Sequence, residues 1–362
     1  MQATKELNSA GQSIWLDNIT RDLLLTGTLE RYIRDLSVTG LTSNPTIFDN
    51  ALRRGTSYDA GLRARARSGI SHEDLFFELA LEDITRAADL FGAVHERTAG
   101  VDGWVSLEVS PLLASDAKST LAEAKELYAR AGRRNLFIKI PGTADGLAAI
   151  EESIFAGIPI NITLLFSAQQ YQAAADAWLR GVERRIEAGL NPNVASVASL
   201  FVSRWDVAVA GRVRPSLNNK LGIAVAQETH KAYSKLLDSA RWRRALNAGA
   251  RPQRLLFAST GTKDPKAADV LYVQELIAPL TVNTMPEGTL QAFAAHGEVG
   301  RVLSPDGGDS ANVLLKFTRS GIDLEALAAR LQEQGAAAFV ASWKDLLGVI
   351  SSKTTAAEKV RS

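Results

Sequence analysis

The sequence predicts an α/β protein, most simply a single (β/α)8 (TIM) barrel with additional helices, including C-terminal helices. Short apolar segments of strand length alternate with longer amphipathic segments along the chain. The strand candidates lack two-residue hairpin signals, and strands that are covered by helices have mostly apolar sequences of this kind. Eight such strands alternating with helices are typical of a parallel barrel.

Length and composition favour one large domain. The chain has 362 residues, of which 46% are hydrophobic and 22% charged, which is ordinary for a globular protein with a large core. Barrels of this class often exceed the length of an average domain. No change in composition and no Pro/Gly/Ser-rich linker divides the chain, so we expect one domain over 1–362. The polar segment 351–362 is expected to fray.

Each predicted strand is short and mostly apolar. The eight segments are Ser13–Asp17, Val38–Ser43, Trp104–Val109, Leu136–Ile140, Ile158–Leu164, Val194–Ser199, Leu255–Ser259 and Leu280–Asn283.

Helical periodicity fills the intervals between the strands. Ser71–Thr98 carries apolar residues at helical spacing and begins with a variant capping box formed by Ser71 and Asp74. A further helix is expected to stop at Gly132. The other predicted helices are Thr46–Arg67, Ala122–Ala131, Ala168–Ala188, Lys220–Leu246 and Asp323–Ile350, the last with a possible break at Gly335–Ala338.

Charge and residue usage exclude several classes of function. The net charge is +1, from 41 basic and 40 acidic residues, so we expect no nucleic-acid or membrane partner. Cysteine is absent, and the four histidines show no metal-ligand spacing, so we expect neither a metal nor another cofactor. No secretory signal or apolar run of about 20 residues is visible, which makes the cytosol the expected compartment. Monomer and homodimer both stay open.

Lys139 is the most informative residue, because it lies between large apolar residues in Leu136–Pro141. A buried, unpaired ammonium is costly. A desolvated neutral lysine is the nucleophile that condenses with a carbonyl to form a Schiff base. The alternative is a structural lysine that pairs with a buried carboxylate or extends from the strand end to water.

Polar residues occur at or just after the ends of nearly all the predicted strands. In a parallel barrel these ends meet at one mouth, which carries the functional side chains. The alternative is a set of interior polar residues whose hydrogen bonds are satisfied. The convergence of the whole set favours a catalytic site. The candidates are Asp17, Asn44, Glu108, Lys139, Asn161, Thr163, Ser199, Arg204, Ser259 and Lys263.

Several of these segments together resemble the transaldolase family. Gly40–Phe48 matches the first signature of that family almost residue for residue. Asn135–Pro141, Gly146 and Ile158–Ser167 are similar to its active-site lysine region. The motifs occur in the family's order, between Asp17 and about Asn283.

The resemblance implies roles for individual residues. Lys139 would form the Schiff base, and Asp17 would exchange the proton that accompanies carbon–carbon cleavage. Glu108 and Thr163 would hold a water that relays protons. Asn44, Asn161 and Ser199 would contact substrate, and Arg204 would bind its phosphate.

One segment departs from the family pattern. After the seventh strand many members carry a second phosphate-binding arginine, whereas this chain has Ser259–Lys263. Lys263 could take that role with help from the hydroxyl and amide groups around Gly261, including Ser259. Lysine is a point charge and not a bidentate fork, and an ordinary surface lysine is an equal alternative.

The implied reaction needs no metal. A dihydroxyacetone unit would pass from sedoheptulose 7-phosphate or fructose 6-phosphate to glyceraldehyde 3-phosphate or erythrose 4-phosphate, in the non-oxidative pentose phosphate pathway. Phosphorylated sugars are therefore the expected partners. Two other hypotheses stay open, a Schiff-base aldolase that releases the three-carbon unit and a non-catalytic barrel that acts as a binding or scaffold protein.

Overall fold

The protein folds as a closed barrel of eight parallel strands in sequential order, as predicted. A computed structural model describes residues 2–65 and 70–359. Neighbouring strands are joined through helices, which makes the architecture a (β/α)8 barrel. The strands are β1 (Gln12–Asp17), β2 (Val38–Thr42), β3 (Trp104–Glu108), β4 (Leu136–Pro141), β5 (Ile160–Leu165), β6 (Ser196–Phe201), β7 (Arg254–Ala258) and β8 (Thr281–Met285).

Helices surround the barrel, and a long final helix crosses its carboxyl end. Two 3-10 turns lie at Pro111–Leu113 and Pro215–Leu217. The helices are α1 (Gln2–Ser9), α2 (Arg21–Leu25), α3 (Thr28–Asp35), α4 (Pro45–Arg54), α5 (Asp59–Arg65), α6 (His72–Leu90), α7 (Gly92–Arg97), α8 (Ala117–Ala131), α9 (Gly146–Phe155), α10 (Ala168–Glu187), α11 (Ser203–Val209), α12 (Leu221–Asp238), α13 (Ala240–Asn247), α14 (Leu271–Glu275), α15 (Glu287–His296), α16 (Ser310–Arg319) and α17 (Leu324–Lys359).

Strand β4 shows how alternation separates the outer core from the interior. Leu136, Ile138 and Ile140 belong to the apolar cluster shared with the surrounding helices. Phe137 points to the other face and stacks on Trp104 of β3, with ring centroids 4.2 Å apart. Since side chains alternate along a strand, Lys139 also faces the interior, nearer the carboxyl end than Phe137.

Local signals set several helix ends as expected. Ser71 caps α6 by accepting a hydrogen bond from the backbone N–H of Asp74 at 3.0 Å. Gly132 ends α8 in the left-handed conformation, with φ of 58°. Both predictions are therefore confirmed.

Three predicted helices are each divided into two. The segment 71–98 is interrupted at Phe91, and Thr46–Arg67 is divided between α4 and α5, with 66–69 outside the described residues. In the third segment, Ser239 ends α12 and caps α13 by accepting from the backbone N–H of Trp242 at 3.1 Å. Apolar periodicity continues across such breaks, because both halves bury apolar side chains in the same core cluster.

The expected break at Gly335–Ala338 is wrong, because α17 runs through it without interruption. A Cβ atom on Gly335 would lie 2.9 Å from Leu164 Cδ2. The glycine therefore permits close packing of the helix on the barrel. The helix also extends through 351–359, where we expected a frayed tail; 360–362 lie outside the described residues. The single-domain prediction stays a prediction.

Candidate active site

Lys139 is buried at the carboxyl end of the barrel, with 5% of its surface exposed. Its Nζ donates to the backbone carbonyl of Ser43 at 2.8 Å and lies 3.4 Å from Glu108 Oε2. Strands β3, β4 and β5 place Glu108, Lys139 and Asn161 in direct register. The polar residues of three neighbouring strands thus form one layer, as the sequence suggested.

Asp17 lies at the end of β1 and accepts a hydrogen bond from Thr42 Oγ1 at 2.8 Å. Burial raises the pKa of Asp17, while Lys139, Thr42 and Lys263 act in the opposite direction. Burial also raises the pKa of Glu108, against the nearby charge of Lys139. Two carboxyl groups that protonate more readily than usual therefore share the mouth with a lysine, which is a chemical environment typical of catalytic sites.

Thr163 reaches the site through an irregular part of β5. The register with β6 shifts between Ile162 and Leu165, and Leu164 has a φ of 60°. Positive φ is strained for a branched side chain and costs about 1–3 kcal/mol, so the surrounding structure must hold it. Within the described part of the chain, the buried Thr163 Oγ1 and Glu108 Oε1 have no hydrogen-bond partner.

Asn161 and Ser199 form a buried hydrogen-bonded pair on β5 and β6. Ser199 Oγ donates to Asn161 Oδ1 at 2.7 Å, and Asn161 Nδ2 donates to Ser106 Oγ at 3.2 Å. Asn44 caps α4 by accepting from the backbone N–H of Ile47 at 3.0 Å. This bond orients the amide, whose Nδ2 is the end that can donate to a ligand.

Cationic side chains lie on the opposite side of the mouth. Arg204 is in the first turn of α11, and its Cζ lies 5.5 Å from the centre of the Phe201 ring. Burial lowers the pKa of Arg204, and no described carboxylate forms an ion pair with it. Lys263 is exposed on the loop after β7. Ser259, at φ of 55°, is held by a 2.9 Å contact between its Oγ and that of Ser203.

One cavity of about 300 Å³ joins most of these groups. Glu108 contacts Lys139 at the edge of this cavity, and Asn161 supports Ser199. A larger cleft of about 640 Å³ lies beside α12, but the charged residues that line it are exposed. The predicted site residues that line the 300 Å³ cavity are Asp17, Asn44, Lys139, Thr163, Ser199, Arg204, Ser259 and Lys263.

The structure adds residues that sequence reasoning missed. Thr42 and Thr284 lie 2.7 Å apart, hydroxyl to hydroxyl, and both line the cavity. Thr42 is in the segment that resembles the family signature, and Thr284 lies near the carboxyl end of β8, so both could have been predicted from the sequence. Phe339 comes from α17, where an apolar residue with helical spacing is indistinguishable from core.

No metal centre is seen in residues 2–65 and 70–359, where no group of three or more acidic or histidine side chains is arranged to hold an ion. Independence from metals stays a prediction. Among the helices described, none combines the length and hydropathy of a membrane span.

The fold and cavity define an enzyme of the (β/α)8 class, with its buried titratable groups at the carboxyl ends of the strands. Comparison with known proteins agrees. Residues 14–350 match the family described as Transaldolase/Fructose-6-phosphate aldolase. A protein of Frankia alni named Transaldolase is 44% identical over 96% of both chains. Those of Arthrobacter sp. (strain FB24) and Thermobifida fusca, also named Transaldolase, are each 43% identical, with at least 97% of both chains covered.

The chain belongs to the transaldolase/fructose-6-phosphate aldolase family. It is an enzyme that transfers a three-carbon unit. The hypothesis of a non-catalytic scaffold is set aside.

Proposed function

We propose that this enzyme transfers a dihydroxyacetone unit between phosphorylated sugars through a Schiff base on Lys139. The observation that carries the proposal is the buried Lys139 amine, 3.4 Å from a carboxylate and in the same cavity as Arg204. The donors would be sedoheptulose 7-phosphate or fructose 6-phosphate. The acceptors would be glyceraldehyde 3-phosphate or erythrose 4-phosphate, in the pentose phosphate pathway of the cytosol.

The first step is imine formation. The Lys139 amine adds to the ketose carbonyl carbon, and loss of water from the resulting carbinolamine gives a protonated imine. These steps need proton transfer near Nζ. Glu108 and Thr163 each present a buried oxygen without a partner in the described chain, and a water shared between them would relay the protons.

The second step is carbon–carbon cleavage. Asp17 takes the proton of the C4 hydroxyl, the C3–C4 bond breaks, and the aldose phosphate leaves. The bonding electrons pass into the protonated imine and form an enamine. Burial raises the pKa of Asp17, which makes it a stronger base than an exposed aspartate when it is ionised. Addition to an acceptor aldehyde and hydrolysis of the imine complete the turnover.

The remaining site residues would hold the substrate. Asn44, Asn161 and Ser199 offer amide and hydroxyl groups to sugar hydroxyls. Arg204 offers a fork suited to phosphate oxygens, and its surroundings leave the charge without a carboxylate partner among the described residues. Ser259 and Lys263 extend the cationic side of the cavity, with Lys263 in place of the second arginine.

Borohydride trapping tests the proposal. Reduction in the presence of fructose 6-phosphate should fix a ketose-derived adduct on Lys139, located by peptide mass mapping. Lys263→Ala should still give the adduct, whereas Lys139→Ala should not. An adduct on another lysine, or none in the unaltered enzyme, would refute the assignment.

The alternative is a Schiff-base aldolase that releases the three-carbon unit, an activity that the family description also includes. The two activities differ in their need for an acceptor. A transferase should form little free dihydroxyacetone without an aldehyde and should turn over when one is added. Equal turnover in both conditions would favour the aldolase.

A further inference from the structure

Helix α17 crosses the carboxyl end of the barrel and places an aromatic ring in the cavity. Phe339 is 4% exposed, and its ring centre lies 5.9 Å from Lys139 Nζ. The same cavity holds Asp17 and Thr163. The ring takes no part in the reaction steps proposed for Lys139 and Asp17, and it belongs to α17 and not to a barrel strand.

The helix is anchored to two strand ends on one side of Phe339. Gln332 Nε2 donates to the backbone carbonyls of Gly142 and Leu164, at 3.1 and 2.9 Å. Gly142 follows β4, which carries Lys139. Leu164 is the residue with positive φ beside Thr163, so Gln332 helps to hold a strained part of the backbone. Gly335 allows the helix to approach Leu164 closely.

A further contact anchors the helix on the other side of Phe339. Ser342 Oγ lies 2.8 Å from Thr46 Oγ1, and Thr46 also lines the cavity. Phe339 is therefore held between contacts to β4 and β5 and a contact to α4. A buried ring held on both sides forms an apolar wall beside the lysine.

Such a wall matters for the fate of the enamine on Lys139. In transfer, the enamine carbon attacks an aldehyde. In the competing reaction this carbon takes a proton, water attacks the resulting imine, and the C–N bond breaks. That route consumes one water and returns the lysine amine and free dihydroxyacetone. Excluding water from an active site suppresses hydrolysis of reactive intermediates.

We propose that Phe339, held in place by Gln332, is a positioning residue that keeps bulk solvent from Lys139, apart from the one relay water between Glu108 and Thr163, and thereby favours transfer over release of the three-carbon unit. The inference rests on the proposed Schiff-base function.

The test is the ratio of free dihydroxyacetone to transfer product, measured with fructose 6-phosphate and saturating glyceraldehyde 3-phosphate. Phe339→Ala should raise this ratio about tenfold, equivalent to about 1.4 kcal/mol between the two barriers. Phe339→Leu should raise it less, because leucine restores part of the wall. Phe317→Leu is the matched control: Phe317 is fully buried in the same apolar cluster but lies on α16, so the ratio should not change.

A second pair of variants tests the anchor. Gln332→Ala should shift the ratio in the same direction as Phe339→Ala. Gln334→Ala, the same change at an exposed position two residues along the helix, should leave it unchanged. If Phe339→Ala does not fold, Phe339→Leu and Gln332→Ala decide the matter.

An unchanged ratio in the Phe339 and Gln332 variants would overturn the inference. The trapping experiment separates this outcome from failure of the proposed function. A borohydride adduct on Lys139 with unchanged ratios refutes only the role of Phe339. Absence of the adduct in the unaltered enzyme refutes the Schiff-base function and the inference with it.

Discussion

Lys139 and its neighbours show how single residues acquire distinct roles from their surroundings. Glu108 is buried and Asp17 is partly buried, and both carboxyl groups have a raised pKa, but of the two only Glu108 lies within 4 Å of the lysine nitrogen. Asp17 is instead oriented by the Thr42 hydroxyl. In the proposed mechanism, this difference in position assigns Glu108 to imine formation and Asp17 to cleavage of the sugar chain.

Asp17→Ala should slow carbon–carbon cleavage and still permit imine formation. Loss of a general base typically costs ~10²–10⁴-fold in rate, and Glu108 and Thr163 remain for the first step. The variant should accumulate the intact ketose adduct on Lys139, visible by mass after borohydride reduction. Finding only a three-carbon adduct, or no adduct, would contradict this division of labour.

The raised pKa of Asp17 predicts that the rate of carbon–carbon cleavage depends on pH. Burial raises the pKa of Asp17 above its ordinary value of 3.8. Because the base must be ionised, the cleavage rate should fall with acid at a higher pH than an ordinary aspartate would give. Single-turnover cleavage rates measured across the acidic range check this; a rate that is flat down to the ordinary value would contradict it.

Arg204→Ala should selectively weaken the binding of phosphorylated substrates. A partly buried arginine that pairs with phosphate contributes about 2–5 kcal/mol when the pair is well desolvated. The ratio kcat/KM should therefore fall strongly for fructose 6-phosphate and little for dihydroxyacetone-yielding ketoses without phosphate. Lys263→Ala is the comparison, and a smaller loss is expected because its side chain is exposed. Equal losses for both kinds of substrate would show that Arg204 is structural.

Sequence reasoning located the polar residues of the site because their surroundings were unusual. Lys139, Glu108 and Asn161 each interrupt an apolar strand, and an unpaired buried polar group is costly enough to need a reason. Phe339 gave no such signal, since an apolar residue on an amphipathic helix fits the core equally well. Its position in the cavity depends on contacts between α17 and β5, which are distant in sequence.

At the scale of elements, strands were easier to predict than helix boundaries. Buried parallel strands are short and apolar throughout, so their sequences mark them directly. Helix interruptions depend on which residue can satisfy the freed backbone groups, as Ser239 does between α12 and α13. The predicted helix break at Gly335 was wrong because this glycine does not end a helix. Its lack of a side chain allows α17 to pack against Leu164.

Helix α8 carries a carboxyl group that makes stability depend on pH. Burial raises the pKa of Glu123 to about 7, with smaller contributions from Glu73 and Glu126, although the carboxylate accepts a 2.5 Å hydrogen bond from the backbone N–H of Ser110. A carboxyl whose pKa is higher in the folded than in the unfolded state supports folding at low pH. That contribution is lost as pH rises from about 4.5 through 7.

Glu123→Gln should remove this dependence. Between about pH 5 and pH 8, the variant should lose less free energy of unfolding than the unaltered protein, as measured by denaturant titration at each pH. Glu187→Gln, at an exposed position on α10, should not alter the pH dependence. Parallel curves for Glu123→Gln and the unaltered protein would contradict the raised pKa.

At the scale of the whole molecule, the two ends of the barrel have different tasks. The carboxyl end carries the cavity that holds Lys139, with Leu164 at positive φ and the unpartnered Glu108 Oε1 and Thr163 Oγ1 beside it. The amino end carries a network centred on Asp102, which lies 3.3 Å from Arg254 Nη1 and accepts hydrogen bonds from Trp15 Nε1 at 3.0 Å and from Ser13 Oγ. Barrels generally separate function and stability in this way.

Asp102→Ala should therefore destabilise the protein strongly without changing the chemistry of the folded enzyme. Arg254 and Asp102 are buried, with side chains 10% and 8% exposed. Removing one partner leaves the other charge uncompensated, which typically costs about 3–5 kcal/mol. Asp35→Ala removes half of the exposed Arg34–Asp35 pair and should cost less than about 1 kcal/mol. Denaturant unfolding gives both values. Borohydride trapping counts the active sites, and dividing the measured rate by that number gives kcat per folded molecule. A fall in that kcat as large as the effect of Asp17→Ala would show that the amino end of the barrel also controls the site.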